Sequence, residues 1–271
     1  MKKSIFIICI LLTSLWATVY SQDSQEKNEK TKAALSCYQS TAFNYGVISN
    51  IGKQTMDIPN IFYSVAPRFR HTVTKENLHR AKSIIDILPS EATQSIESYQ
   101  SVKVSIIDND HEIGTGEYGE GDKLNKTQLA LLQSVNYSNH IFIKANYKIK
   151  DVYSGQLADR YLTYYITIVP EKEAQFADGY ETLLRYIKTN SKEKTISVDQ
   201  NILEPGKVSF TITKEGKISN VKLTSTSGYS SIDQSLMNLM NKLPGKWNAA
   251  TNSKGEKVDQ ELVLFFGMDG C

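Results

Sequence analysis

The sequence predicts an α+β protein, a β-rich first domain followed by a small strand, strand, helix, strand module, and three observations carry that reading. Residues 207–213 alternate strictly, with Val208, Phe210 and Ile212 on one face and Ser209, Thr211 and Thr213 on the other, the pattern of a half-buried strand. Ile232, Leu236, Leu239, Met240 and Leu243 recur at helical spacing and are closed off by Pro244-Gly245, which makes one apolar helical stripe. In the first half, Ile141, Ile143, Ala145, Tyr147 and Ile149, then Leu162, Tyr164, Ile166 and Ile168, alternate without a fault around a Gly-containing loop. These are two long antiparallel strands.

At the N-terminus, Lys2 and Lys3 precede an apolar run from Ser4 to Tyr20, with Val19 and Ser21 at the −3 and −1 positions of a cleavage site. Residues 1–21 therefore read as a secretory signal peptide, which places the mature chain in the periplasm. The alternative is an inner-membrane anchor made of residues 4–20. That run, interrupted by Thr13, Ser14 and Thr18, sits at the bottom of the spanning range of about 17 to 25 residues. Lys2 and Lys3 account for the whole formal net charge of +2, so the mature chain is neutral and offers no electrostatic case for nucleic acid. Export leaves two cysteines, Cys37 and Cys271, once Cys9 departs with the signal. An oxidising compartment permits a disulfide between them, and two unrelated thiols are the other reading.

Residues 22–33 are polar and without apolar period, a disordered lead. A β-rich domain of unassigned role spans residues 34–169. Within it, residues 58–70 read as irregular or edge structure. Thr74 caps a helix whose Leu78, Ala81, Ile84, Ile85 and Leu88 make a stripe ended by Pro89. Val102, Val104 and Ile106 make a strand, and residues 125–134 a short helix with Leu129 and Leu132 inward. Residues 170–173 mark the boundary, and 172–271 form the second domain. There Gly216 serves a hairpin turn, Ile218 falls out of phase as a turn residue or bulge, Ser231 and Gln234 fit a capping box, and residues 258–266 make the last strand.

The run Gly206-Lys-Val-x-Phe-x-Ile, with Gly216, Ile218, Asn220-Val221 and Leu223, then Ser227-Gly228, Ile232-Asp233 and Leu243-Pro244 closing on Trp247, resembles the TonB C-terminal domain family. Phe176-Ala-Asp-Gly179 opening an amphipathic helix through Leu183, Leu184 and Ile187 is similar to the lead-in helix of Bacteroidetes-type members, and the resemblance covers about residues 172–268. Two positions depart from the family pattern. Asn248-Ala-Ala follows Trp247 where Lys-Pro is usual, and Tyr180 stands where the lead-in has a second glycine. The resemblance implies a periplasmic module that takes up an extended peptide of an outer-membrane TonB-dependent transporter by β-strand addition, in energy-coupled transport. The residues it implies are Val258, Asp259, Gln260, Glu261, Leu262, Val263, Leu264, Phe265 and Phe266, an edge strand whose outer side is unpaired unless a neighbour covers it. The alternative is a structural envelope protein that homodimerises through the same strand.

Other motifs yield no chemistry. Gly114-Thr-Gly-Glu-Tyr-Gly119 spells G-x-G-x-x-G, yet no helix opens at its end and its acidic neighbours would repel a pyrophosphate, so it reads as a flexible hairpin loop. Asp108, Asp110 and Glu112 lack the glycine and the final glutamate of a calcium loop. His71 and His79 have no third ligand at useful spacing. Ser191-x-x-Lys194 lacks its companion motifs. No enzyme, metal or cofactor is expected, and Tyr161, Tyr164 and Tyr165 read as cross-strand packing before a sugar platform.

Overall fold

The computed structural model describes residues 61–108, 111–195, 198–199 and 202–267. Cys37, Cys271, the signal and the disordered lead lie outside the described residues. The described part is mixed α+β, mostly strand, and holds two hydrophobic cores.

The first core is built on a five-stranded sheet. Strand β1 (Phe62–Ala66) leaves for the other sheet, and β2 (His71–Thr74) leads into helix α1 (Lys75–Arg80), a 3-10 turn at Ile84–Asp86 and helix α2 (Ser90–Thr93). Strands β3 (Ile96–Asp108) and β4 (His111–Gly119), helix α3 (Lys126–Ser134) and strands β5 (His140–Lys150) and β6 (Leu157–Val169) follow. The strand order is β2-β6-β5-β3-β4, antiparallel except for β2 against β6. Alternation puts Ile141, Ile143 and Ala145 opposite Ile166, Tyr164 and Leu162 on one face. Val102 and Val104 join them, and Leu78, Ile84 and Leu132 pack on that face from α1, the 3-10 turn and α3.

The helix expected over residues 74–88 is broken. Thr74 does cap it, Oγ1 accepting from the Asn77 amide at 3.3 Å, but α1 ends at Arg80. The Asp86 carboxylate accepts from the amides of Lys82 and Ser83 at 2.8 and 3.0 Å, and the Ser83 hydroxyl accepts from Ile85 at 3.1 Å. A second capping box thus starts a new turn where the first helix should continue, and it leaves Ile85 46% exposed. Helix α3 forms as expected, with Asn125 and Gln128 as a reciprocal capping box.

The second core begins with β7 (Gln175–Phe176) and helix α4 (Tyr180–Thr195). Strands β8 (Gly206–Ile212) and β9 (Ile218–Ser225) make the hairpin, helix α5 (Ser230–Asn241) follows, and β10 (Trp247–Asn248), β11 (Ala250–Thr251), β12 (Lys257–Val258) and β13 (Gln260–Gly267) complete the chain. Leu183 and Ile187 of α4 and Ile232, Leu236 and Met240 of α5 are buried against Val208, Phe210, Ile212, Leu262, Leu264 and Phe266. Each such side chain contributes roughly 1.5 to 3 kcal/mol by leaving water. At the hairpin turn Gly216 adopts φ +75°, and a Cβ there would lie 2.3 Å from the Trp247 carbonyl oxygen, so only glycine fits. The phase slip after Ile218 is a bulge. Ile218 pairs with Ile212, the register shifts between Ser209 and Thr211, and Asn220 takes φ +53°.

Two expectations about this module are corrected. Ser231 and Gln234 form no capping box, since the N-cap of α5 is Tyr229, two residues earlier, with no side-chain cap bond. The Asp233 carboxylate organises the loop before the helix instead, accepting from Thr226 Oγ1 at 2.6 Å, Ser227 Oγ at 2.7 Å and the Ser227 amide at 3.0 Å. The first part of the chain also does not stay within its own core. Ile61 and Val65 belong to the second core, because β1 is a strand of the second sheet.

Candidate functional site: the occupied edge of the last strand

The nine residues expected to form one edge strand fall in two elements. Val258 pairs with Ala250 in the small β11-β12 hairpin. Asp259 interrupts the strand by accepting from the Lys214 amide at 2.7 Å. Gln260, Glu261, Leu262, Val263, Leu264, Phe265 and Phe266 make up β13. Gln260 fixes the start of the strand. Its side chain is 1% exposed, accepts from the Ala174 amide at 2.7 Å and donates to Glu173 at 2.8 Å.

Strand β13 is not an edge. The sheet order is β1-β13-β8-β9, with β13 antiparallel to β8 on one side and to β1 on the other. Leu262 and Leu264 lie opposite Phe210 and Val208 of β8, while Val263 and Phe265 lie opposite Ala66 and Ser64 of β1. The Glu261 amide, which points to the same side as those of Val263 and Phe265 by alternation, donates to Ser138 Oγ at 2.8 Å. The row of N–H groups expected to face solvent is therefore occupied by this chain's own backbone and by one serine. Alternation alone could not show this, because it identifies a strand without naming its neighbour.

Helix α4 holds β1 in place. The Val65 amide, turned away from β13, donates to the Tyr180 hydroxyl at 3.2 Å, and Ser64 Oγ lies 3.2 Å from the same oxygen. Tyr63 Oη and Ser191 Oγ share a hydrogen bond of 2.8 Å. Burial pushes the Tyr63 phenol above its ordinary pKa, partly offset by that bond. Two hydroxyl contacts, one at each end of α4, thus clamp a five-residue strand. Tyr180 is the residue that departs from the lead-in pattern, and it caps the outer side of β1.

Glu261 is the titratable member of β13. Burial pushes its carboxyl above the usual carboxylate range, opposed by Arg68 and Lys222 and reinforced by Asp108. An acid whose folded pKa is raised contributes stability below its unfolded value of about 4.3, and that contribution is lost as pH rises through the folded value. Glu261→Gln is therefore expected to unfold at a higher temperature than the parent at pH 7 and at the same temperature at pH 3.5, by thermal unfolding at the two pH values.

The remaining motifs resolve locally. Gly114 to Gly119 is no loop. It lies inside β4, where a Cβ on Gly116, at φ +72°, would meet Lys103 Cε at 2.7 Å, and one on Gly119 would meet Gln128 Oε1 at 2.6 Å. The glycines let neighbouring side chains pass. His71 sits on β2 with its ring edge-on to Tyr164, centroids 4.6 Å apart, and burial lowers its pKa, helped by Arg70. His79 is on α1. Among the described residues no helix is long and apolar enough to cross a membrane. Compared with known proteins, the chain matches no family model, no curated protein and no solved structure.

Proposed function

We propose that the chain is an exported interaction module of the cell envelope that receives an extended segment of an outer-membrane transporter by β-strand addition to β13, the partner strand replacing β1. The observation that carries this is the antiparallel pairing of Phe62–Ala66 along residues 263–267 of β13, on the side of the strand that a guest would take. The resemblance of residues 172–268 to the TonB C-terminal domain supplies the class of partner. Exchange costs little in principle, because a guest strand re-forms the main-chain bonds that β1 gives up.

A photoreactive residue in place of Phe265, crosslinked in the native envelope and mapped by mass spectrometry, tests the reading. Adducts to the N-terminal segment of an outer-membrane transporter are expected. Adducts confined to residues 62–66 of the same chain would refute it, and adducts to a second copy would replace it with homodimerisation.

Exchange also predicts that weakening the clamp improves binding. Tyr180→Phe with Ser191→Ala removes three hydrogen bonds, each worth about 0.5 to 1.5 kcal/mol, so the population with β1 released rises by roughly tenfold or more. A synthetic peptide of residues 61–67, titrated by fluorescence anisotropy, is expected to bind the double variant about tenfold more tightly than the parent. Equal affinities would show that β1 does not leave.

A further inference from the structure

The five-stranded sheet buries one face under α1 and α3, and on its other face, where Ser105, His140, Phe142 and Thr167 are also buried, the part around Lys103 and Lys144 carries an arrangement packing alone does not explain. Lys103 on β3 and Lys144 on β5 are directly opposite each other in the antiparallel pair. Like charges at facing positions are destabilising, and a rule broken on a surface where any polar residue would serve points to a use. One carboxylate compensates them in part. Glu112 pairs with Lys103 and accepts from Ser105 Oγ at 2.7 Å, and Lys103 is held above its ordinary pKa chiefly by that bond, so it stays a cation. Among the described residues Lys144 makes no salt bridge of its own and shares the charge of Glu112 with Lys103. It rests 5.5 Å from the Tyr161 ring, as Lys103 rests 5.7 Å from that of Tyr118.

Lys103 and Lys144 line a groove of about 300 Å³. Phe142, 7% exposed, belongs to its floor, Ser101, Asn146 and Thr163 add hydroxyl and amide groups, Glu112 and Tyr118, the latter 62% exposed, line it as well, and Tyr161, 68% exposed, lies beside Lys144. Asn146 is oriented by donating to Ser101 Oγ at 2.8 Å. The backbone of β3 and β5 beneath it is paired on both sides, so a ligand lying over these two strands meets side chains. An apolar floor, a flanking aromatic ring, close-set hydroxyl and amide groups and one uncompensated positive charge suit a ring that carries several hydroxyls and an anionic substituent.

We propose that this groove binds an acidic saccharide, its carboxylate on Lys144 beside the Lys103–Glu112 pair and a sugar ring against Tyr118. The site is separate from β13 and does not depend on strand addition.

The test uses the mature full-length protein, with trigalacturonate as probe and cellotriose as the neutral control, followed by calorimetry and by amide chemical shifts. Trigalacturonate is expected to bind saturably with a dissociation constant of about 1 mM or tighter, with shifts at Ser101, Lys144 and Thr163, and more weakly as salt is raised. Lys144→Gln is expected to weaken binding at least tenfold with the unfolding temperature unchanged or raised, since it relieves the facing like charges, whereas Lys254→Gln, on the 252–255 turn, leaves binding unchanged. If Lys144→Gln lowers the unfolding temperature, Tyr118→Ala, at a largely exposed position, decides instead and must also weaken binding. Absence of saturable binding, equal binding of cellotriose, shifts mapping elsewhere, or wild-type affinity in the deciding variant would each overturn the proposal.

Discussion

Asp233→Ala is expected to lower stability by about 3 kcal/mol and the unfolding temperature by roughly 6 to 12 °C for a chain of this size. Asp233 is 4% exposed and sits in the first turn of α5. Its two oxygens accept from Thr226 Oγ1, Ser227 Oγ and the Ser227 amide, at 2.6, 2.7 and 3.0 Å. Ser227 is fully buried, so alanine would strand its donors away from water, and each unsatisfied buried group costs about 1 to 3 kcal/mol. The substitution also removes a negative charge near a helix N-terminus, worth a few tenths to 1 kcal/mol. Asp233→Asn, which keeps one acceptor oxygen, is expected to lose roughly half as much. Thermal unfolding of the two variants checks both figures, and an alanine variant as stable as the parent would show that the loop before α5 holds without the carboxylate.

What could be read from the sequence divides according to the range of the interactions. Asn125 and Gln128 lie three residues apart and specify each other, and the helix read over residues 125–134 forms within one residue of it, as Lys126–Ser134. The alternating runs of β5, β6 and β8 were legible because each buries one face. The stripe Leu78, Ala81, Ile84 and Leu88 was also read correctly as buried, but not the chain that delivers it. Ser83 and Asp86 form a capping box that reads equally well as interior helix until the Asp86 side chain is seen bonded to the amides of Lys82 and Ser83. The G-x-G-x-x-G stretch misled in the opposite direction. Glycines that usually mark a loop here admit the side chains of Lys103 and Gln128 against a continuous strand.

The candidate site failed to appear for a different reason. Strand β13 was found, but β1 lies about two hundred residues away along the chain, and no local pattern encodes a partner at that distance. The one available hint was Tyr180, a bulky hydroxyl-bearing residue at a position where the resemblance led to a glycine. Its hydroxyl serves the Val65 amide. The lysine pair on the five-stranded sheet was equally hidden, because Lys103 and Lys144 become neighbours only when β3 and β5 pair in register.

Ser64→Pro is expected to detach β1 while leaving the rest of the second sheet paired, and to do so with a period of two along β13. The Val65 amide faces Tyr180, so by alternation the amides of Ser64 and Ala66 face β13. Proline at position 64 removes one of these donors, sets its ring against the facing strand and deletes the serine hydroxyl near Tyr180, a combined cost of about 3 kcal/mol. Released from β1, the amides of Val263 and Phe265 become open to solvent, whereas those of Leu262 and Leu264 still face Phe210 and Val208 of β8. Hydrogen exchange should therefore quicken by about a hundredfold at Val263 and Phe265 and stay slow at Leu262 and Leu264. Glu261, bonded to Ser138, should keep its protection. Uniform loss of protection along residues 261–266 would mean that β1 is an integral member of the core whose removal unfolds the sheet, and strand exchange at β13 would then be ruled out as its mode of binding.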